Sequence, residues 1–260
     1  MTSSRFGLLL CGVTVFLITL ILQLPADRVL NLYRDSLPTE IVWQQLTGNI
    51  FNPSFYNLVI NVSGRRSILI ETANIDISVL PLLVGRLKFH FVMEVENGHV
   101  SGVAVLRRNS WQLPMIEGQV PLQSLTALLP AAELAAGSGQ INISGNQLAG
   151  PYEKLPLAGT MDLIVNQLQL DLLHPQSLGN YAVTMQADAQ TGVNGSIATL
   201  STDALINIQA ELKLDALSNS LRIDGQARVA SNAPDSIASV LPLLGTVTDG
   251  VALIQWQSSL

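Results

Sequence analysis

From Phe55 onward, apolar and polar side chains alternate with a period of two, and that pattern constrains the fold more than anything else in the chain. Successive side chains of an extended strand point to opposite faces, so such a segment wets one face and must cover the other. Phe55 to Val62 alternates and then reaches Ser63-Gly64. Ser67 to Ile77 follows, with Ile68, Ile70, Ile75 and Ile77 apolar. Between Leu87 and Val95, the residues Leu87, Phe89, Phe91, Met93 and Val95 share one face. Asn97-Gly98 is a strong hairpin signal, and Val100 to Leu106 is the returning strand. In the second half, Gln140 to Ser144 ends at Gly145-Asn146, and Thr160 to Leu172 alternates with a phase slip near Asn166-Gln167 that predicts a bulge. Tyr181 to Gln190, Ser196 to Leu200, Leu205 to Leu214 and Leu221 to Ala230 continue the pattern between Gly, Asn, Ser and Asp turns.

Strands at this spacing, joined by tight turns and with no βαβ pattern, predict a mainly β, antiparallel meander. Two stretches depart from the period: residues 121–136, with Leu122, Leu125, Leu128 and Leu129 on one helical face, and residues 233–244, with Pro234 and Asp235 at the start. Each predicts a short helix able to plug an open end of a sheet. A hexapeptide occurs twice, as Ser78-Val79-Leu80-Pro81-Leu82-Leu83 and as Ser239-Val240-Leu241-Pro242-Leu243-Leu244. Chance in a Leu-rich chain accounts for it; so do two half-domains, each closed by the same apolar plug, meeting near residues 137–158. With so few helices, the sheet must fold on itself as a sandwich, a barrel or a curved trough. Its aliphatic face suits a dry core or a groove for lipid acyl chains.

The N-terminal run, residues 6–24, is apolar except for Thr14, Thr19 and Gln23. At 1.5 Å per residue it reaches roughly 28 Å, the thickness of a bilayer's hydrocarbon core. It is long for a cleaved signal, and Leu24-Pro25-Ala26 makes a poor cleavage site. The expected organisation is a cytoplasmic tail (1–5), a transmembrane signal anchor (6–24), a juxtamembrane helix and linker (25–38) ended by Pro38, and an exported β-rich domain (39–260). Flanking Arg residues nearly balance, with Arg5 on one side and Arg28 and Arg34 on the other. The short tail ahead of a long domain favours tail-in.

Thirteen basic against nineteen acidic residues give a net charge of −6, and 48% of the chain is hydrophobic. Disorder needs the opposite balance. Basic residues pair only at Arg65-Arg66 and Arg107-Arg108, which excludes a nucleic-acid role. Cys11 is the one cysteine and lies in the apolar run, so the exported part has neither disulfides nor thiolate chemistry. His90, His99 and His174 have no partner at ligand or triad spacing. No nucleophile elbow, phosphate loop, dinucleotide fingerprint or H-E-x-x-H occurs. Gly137-Ser138-Gly139 reads as a plain turn, and Glu94 and Glu96 as one solvent face. The expectation is no enzyme: no catalytic, cofactor-binding or metal-binding residue, and no cofactor.

Several stretches carry a family resemblance. Residues 77–87 resemble the W-x-L-x-P-x-x-L-L-x-G-R-L segment of the type II secretion system protein N family, with Ile75 and Val79 in the places of the usual Trp and Pro. Leu46-Thr47-Gly48-Asn49-Ile50-Phe51 resembles the family's S-G-x-x-W segment, with Phe51 in the Trp place and Pro53 where Gly is common. The stretch 102–129, with Leu113 and Gly118, is similar to the region that follows, as are the Leu-x-x-Leu-Leu-Pro ending at Pro130 and the end Gly250-Val251-Ala252-Leu253. The resemblance implies an accessory component of the cell inner membrane, single-pass, with its bulk in the periplasm. It also implies partners among the other inner-membrane secretion components and a role in exporting folded periplasmic proteins. A looser resemblance to AsmA-like periplasmic proteins implies lipid transport or envelope maintenance on the same architecture.

Overall fold

The computed structural model of the chain describes residues 19–20, 23–32, 34, 39–62, 66–126, 137–152, 156–170, 177–190, 192–215, 220–231, 233–239 and 241–259. Most of the apolar run 6–24 and its Cys11 lie outside these residues, as do Pro38, residues 127–136 and His174. Among the described residues, no helix is long and apolar enough to cross a membrane.

The period-two segments form one antiparallel 15-stranded sheet. Its strands are β1 (Ile41–Val42), β2 (Gln45–Asn49), β3 (Asn52–Val62), β4 (Arg66–Ser78), β5 (Leu87–Val95), β6 (Gly98–Arg107), β7 (Ser110–Pro121) and β8 (Gly137–Gly150). They continue with β9 (Ala158–Leu170), β10 (Ser177–Asp188), β11 (Gly192–Thr199), β12 (Ile206–Asp215), β13 (Ser220–Val229), β14 (Thr246–Thr248) and β15 (Val251–Ser259). From β3 to β13 each strand pairs with the next in sequence. β1 and β2 line one edge and β14 the other, so the sheet does not close into a barrel. Strands touch their sheet neighbours and scarcely anything else, which removes the sandwich as well. The expected curved trough remains.

Five short helices are described: one falls within the stretch 25–38 expected to hold a juxtamembrane helix, and the β-rich part carries four rather than the expected one or two. The five are α1 (Ala26–Leu32), α2 (Val79–Leu82), α3 (Leu122–Thr126), α4 (Asp235–Ala238) and α5 (Leu241–Leu244). The helix expected over 121–136 is seen only as α3. The one expected over 233–244 is two pieces, α4 and α5.

Local expectations fail where a turn residue proved to be something else. The hairpin at Asn97-Gly98 exists, but Val95 pairs with Gly98, so Glu96 and Asn97 form the turn and Glu96 takes the positive φ of 50°. Gly145-Asn146 is no turn: β8 runs straight through it. Gly137-Ser138-Gly139 opens β8 instead of preceding it. The slip at Asn166-Gln167 is a bulge, since Gln140 pairs with Asn166 but Ser138 with Gln169, and Gln167 has φ 51°. β7 carries Pro114 mid-strand, where a missing N–H should break the ladder. The flanking registers skip at that point, with Val103 opposite Met115 and Val105 opposite Gln112.

Glycines on the apolar face leave room for the side chains of neighbouring strands. A Cβ on Gly102 would lie 2.7 Å from Phe91 Cζ and 2.7 Å from the Met115 carbonyl oxygen. One on Gly145 would lie 2.7 Å from Ile116 Cγ2 and 3.2 Å from Leu148 Cδ1. Phe91 and Ile116 thus lie over bare glycine backbone on the adjacent strand, with no room there for a side chain.

Candidate functional site

Register fixes which side chains share a face. Reading straight across from β4 to β15, successive partners are Ile75, Phe91, Gly102, Ile116, Gly145, Met161, Met185, Gly195, Leu212, Ile223 and Trp256. Two residues along each strand a second row holds Val100, Gly118, Ile143, Leu163, Val183 and Ile197. Both rows are apolar or glycine throughout. On the opposite face, Glu117, Ser144, Asp162, Thr184, Ser196 and Glu211 are partners across β7 to β12. The ion pairs Lys213–Glu211 and Arg222–Asp224 lie on that same face; such exposed pairs contribute little stability.

Among the described residues only short helices lie against the sheet, yet most of the apolar-row residues are buried or half-buried while most of their neighbours on the other face are exposed. Concave curvature toward the apolar side accounts for this, because the side chains then screen one another. The site is therefore a surface, an apolar trough with a polar back.

The trough is closed at one end of its C-terminal third. Leu178, Tyr181, Ile206, Ala227 and Ala252 form a floor on which Ile237 of α4 and Leu241 of α5 sit, exposed by 0% and 3%. The Tyr181 hydroxyl points at the carbonyl oxygens of Leu178 (3.0 Å) and Ile206 (2.9 Å). Burial pushes its phenol up to about 12. The fold thus favours the neutral phenol. Its contribution is complete below pH ~10, the unfolded value, and is lost at about 1.4 kcal/mol per unit as pH rises from 10 toward 12. Tyr181→Phe is expected to cost about 1 kcal/mol at neutral pH and to flatten that alkaline decline in urea titrations.

At the other end, α2 carries the first copy of the repeated hexapeptide. The two copies differ in environment: Leu80 is 78% and Leu83 80% exposed, whereas their counterparts are Leu241, buried, and Leu244, half-buried. One copy is a plug, and the other protrudes.

His90 and His99 are exposed on β5 and β6. Register sets Asp76 opposite His90 and Glu94 opposite His99, pairings that separation in sequence concealed. Among the described residues, no three His, Cys, Asp or Glu side chains gather to hold a metal. Glu94 is on a strand as expected, but Glu96 is in the turn and accepts a hydrogen bond from Ser124 Oγ at 2.6 Å. Depressions on the sheet are shallow and partly polar; one beside His90 is lined by Asn52, Ser54, Asn74 and Asp76.

The described residues thus define a mainly β protein built on one open, curved antiparallel sheet. Residues 39–253 match the family model for type II secretion system protein N, and the chain belongs to that family. No curated protein and no solved structure matches it. Membership implies a secretion component associated with the inner membrane and interacting with other type II secretion components. The two stretches carrying the resemblance nearest the N-terminus meet in space, the Ile77 N–H donating to the Phe51 carbonyl at 2.7 Å.

Proposed function

We propose that this chain is a non-enzymatic, single-pass accessory subunit of the type II pathway that supports export of folded periplasmic proteins across the outer membrane. In this reading residues 1–5 are cytoplasmic, 6–24 span the inner membrane, 25–38 connect, and 39–260 lie in the periplasm. The family match over residues 39–253 carries it. Deleting the gene is expected to strand folded exoproteins in the periplasm with envelope lipids unchanged, and the tagged protein should co-purify with other anchored secretion components. Normal exoprotein release in the deletion strain would overturn it. Alanine at His90, His99 or His174 is expected to leave export intact, with any stability loss within a few kcal/mol; loss of export by a folded variant would reopen catalysis.

The unbroken apolar rows favour a second reading, an AsmA-like trough that carries lipid. Leu163 lies in the second row, and Val165 and Leu168 pack toward the closed end. Stoichiometric lipid on the purified protein, lost on polar substitution of Leu163 or Val165 and accompanied by normal exoprotein release, would decide for it.

A further inference from the structure

We propose that the α2 turn is a second membrane contact: it dips into the lipid surface beside the point where the apolar N-terminal run ends. The turn is built, not loose. Gly85 N–H donates to the Leu82 carbonyl (3.0 Å) and Arg86 N–H to the Pro81 carbonyl (3.0 Å), with Gly85 at φ 69°. That paired closure is a Schellman cap, and it needs the left-handed glycine. On this rigid turn Leu80, Leu83 and Val84 are 78%, 80% and 70% exposed. The identical hexapeptide elsewhere in the chain has its first Leu fully seated on an apolar floor, so these side chains bury when a seat exists. A soluble turn has little use for such a cluster.

The occupant is fixed by where the chain comes from. Pro25 bridges Asn49, the Ile50 N–H donates to the Leu24 carbonyl at 3.0 Å, and Ala26 is buried. The last residues of the apolar run are thus tied to the β2–β3 turn. That turn lies at the end of β4 from which α2 protrudes, through Ile77 N–H to Phe51. A bilayer holding the residues before Leu24 meets this end of the sheet first. The surroundings suit an anionic lipid surface. No acid occurs between Ile77 and Met93, while Arg86 and Lys88 flank the turn. Leu87 pairs with Leu106, which sets Arg107 and Arg108 beside them. Apolar side chains with a cationic rim are how a segment lies in a membrane interface. A second copy of the chain would fit the apolar residues but would gain nothing from the cations.

The proposal rests on the anchoring part of the reading above, not on secretion. The test uses the full chain with Cys11→Ser in vesicles of phosphatidylethanolamine and phosphatidylglycerol. Single cysteines at Leu80→Cys, Leu83→Cys and, as the remote control, Asn97→Cys carry a nitroxide. The labels at positions 80 and 83 are expected to be roughly tenfold less accessible to a water-soluble relaxant than the label at 97, and more accessible to oxygen dissolved in the bilayer. Removing phosphatidylglycerol, or substituting Arg86→Gln with Lys88→Gln, should narrow that gap. Equal accessibility at 83 and 97 in protein that floats with the vesicles after an alkaline wash would overturn the contact. Failure to float overturns the anchor and the contact together, while leaving exoprotein release as the separate measure of secretion. Protection that persists in detergent with cross-linking between copies assigns the turn to self-association and overturns the lipid contact.

Discussion

Leu241→Ala is expected to cost about 2–5 kcal/mol of unfolding free energy, and Leu80→Ala less than about 0.5. The two leucines occupy the same place in the same hexapeptide, so intrinsic propensity and neighbouring sequence cancel to first order. What differs is the seat. Leu241 is 3% exposed against Tyr181, Ile206, Ala227 and Ala252, and truncation leaves a cavity that a helix of four residues fills poorly by relaxing. Leu80 is open to solvent, and its truncation removes nothing already buried. Urea titration of the full chain in detergent, followed by the fluorescence of Trp43, Trp111 and Trp256, separates the outcomes. Equal small losses would show that α5 is no plug. A large loss at Leu80 in detergent would mean that α2 is already seated on protein.

The contrast explains how much the sequence could disclose. Strand existence was legible because a half-buried strand imposes its period on the residues themselves, and β5 matched the expected bounds from Leu87 to Val95. Strand β7 was not, because Pro114 reads as a breaker until the matching irregularities on its neighbours are known. Gly145 read as a turn for a similar reason. A glycine that ends a strand and a glycine that lets another strand's side chain cross over it look alike in one dimension. The trough followed from the lack of covering helices, but sandwich and barrel share that composition; the unpaired edges at β1–β2 and β14 exclude the barrel, and strands that touch only their sheet neighbours exclude the sandwich. The two hexapeptides are the extreme case. Identical residues have opposite burial because the partners, Ile206 and Ala252 for one copy, come from remote strands.

Gly102→Val is expected to destabilise by about 3 kcal/mol, the upper end of what overpacking costs. Strand propensity argues the other way, since valine is a better strand residue than glycine by up to about 1 kcal/mol. The sign of the change therefore tests the origin of the curvature. At Gly102 the new Cβ alone would sit 2.7 Å from the Met115 carbonyl oxygen and 2.7 Å from Phe91 Cζ. Phe91 can turn away only by leaving the apolar row, where it is 9% exposed, and the carbonyl can move only by disturbing the β6–β7 ladder. Either response flattens the sheet locally and wets the row. Ser101→Val, on the same strand but on the polar back, meets no such crowding and is expected to stay within about 0.5 kcal/mol of the parent. Alongside stability, binding of a dye specific for exposed apolar surface should rise for Gly102→Val and not for Ser101→Val. If Gly102→Val proves neutral or stabilising while Ser101→Val behaves as stated, glycine is dispensable to the bend, and the trough must owe its shape to strand twist alone.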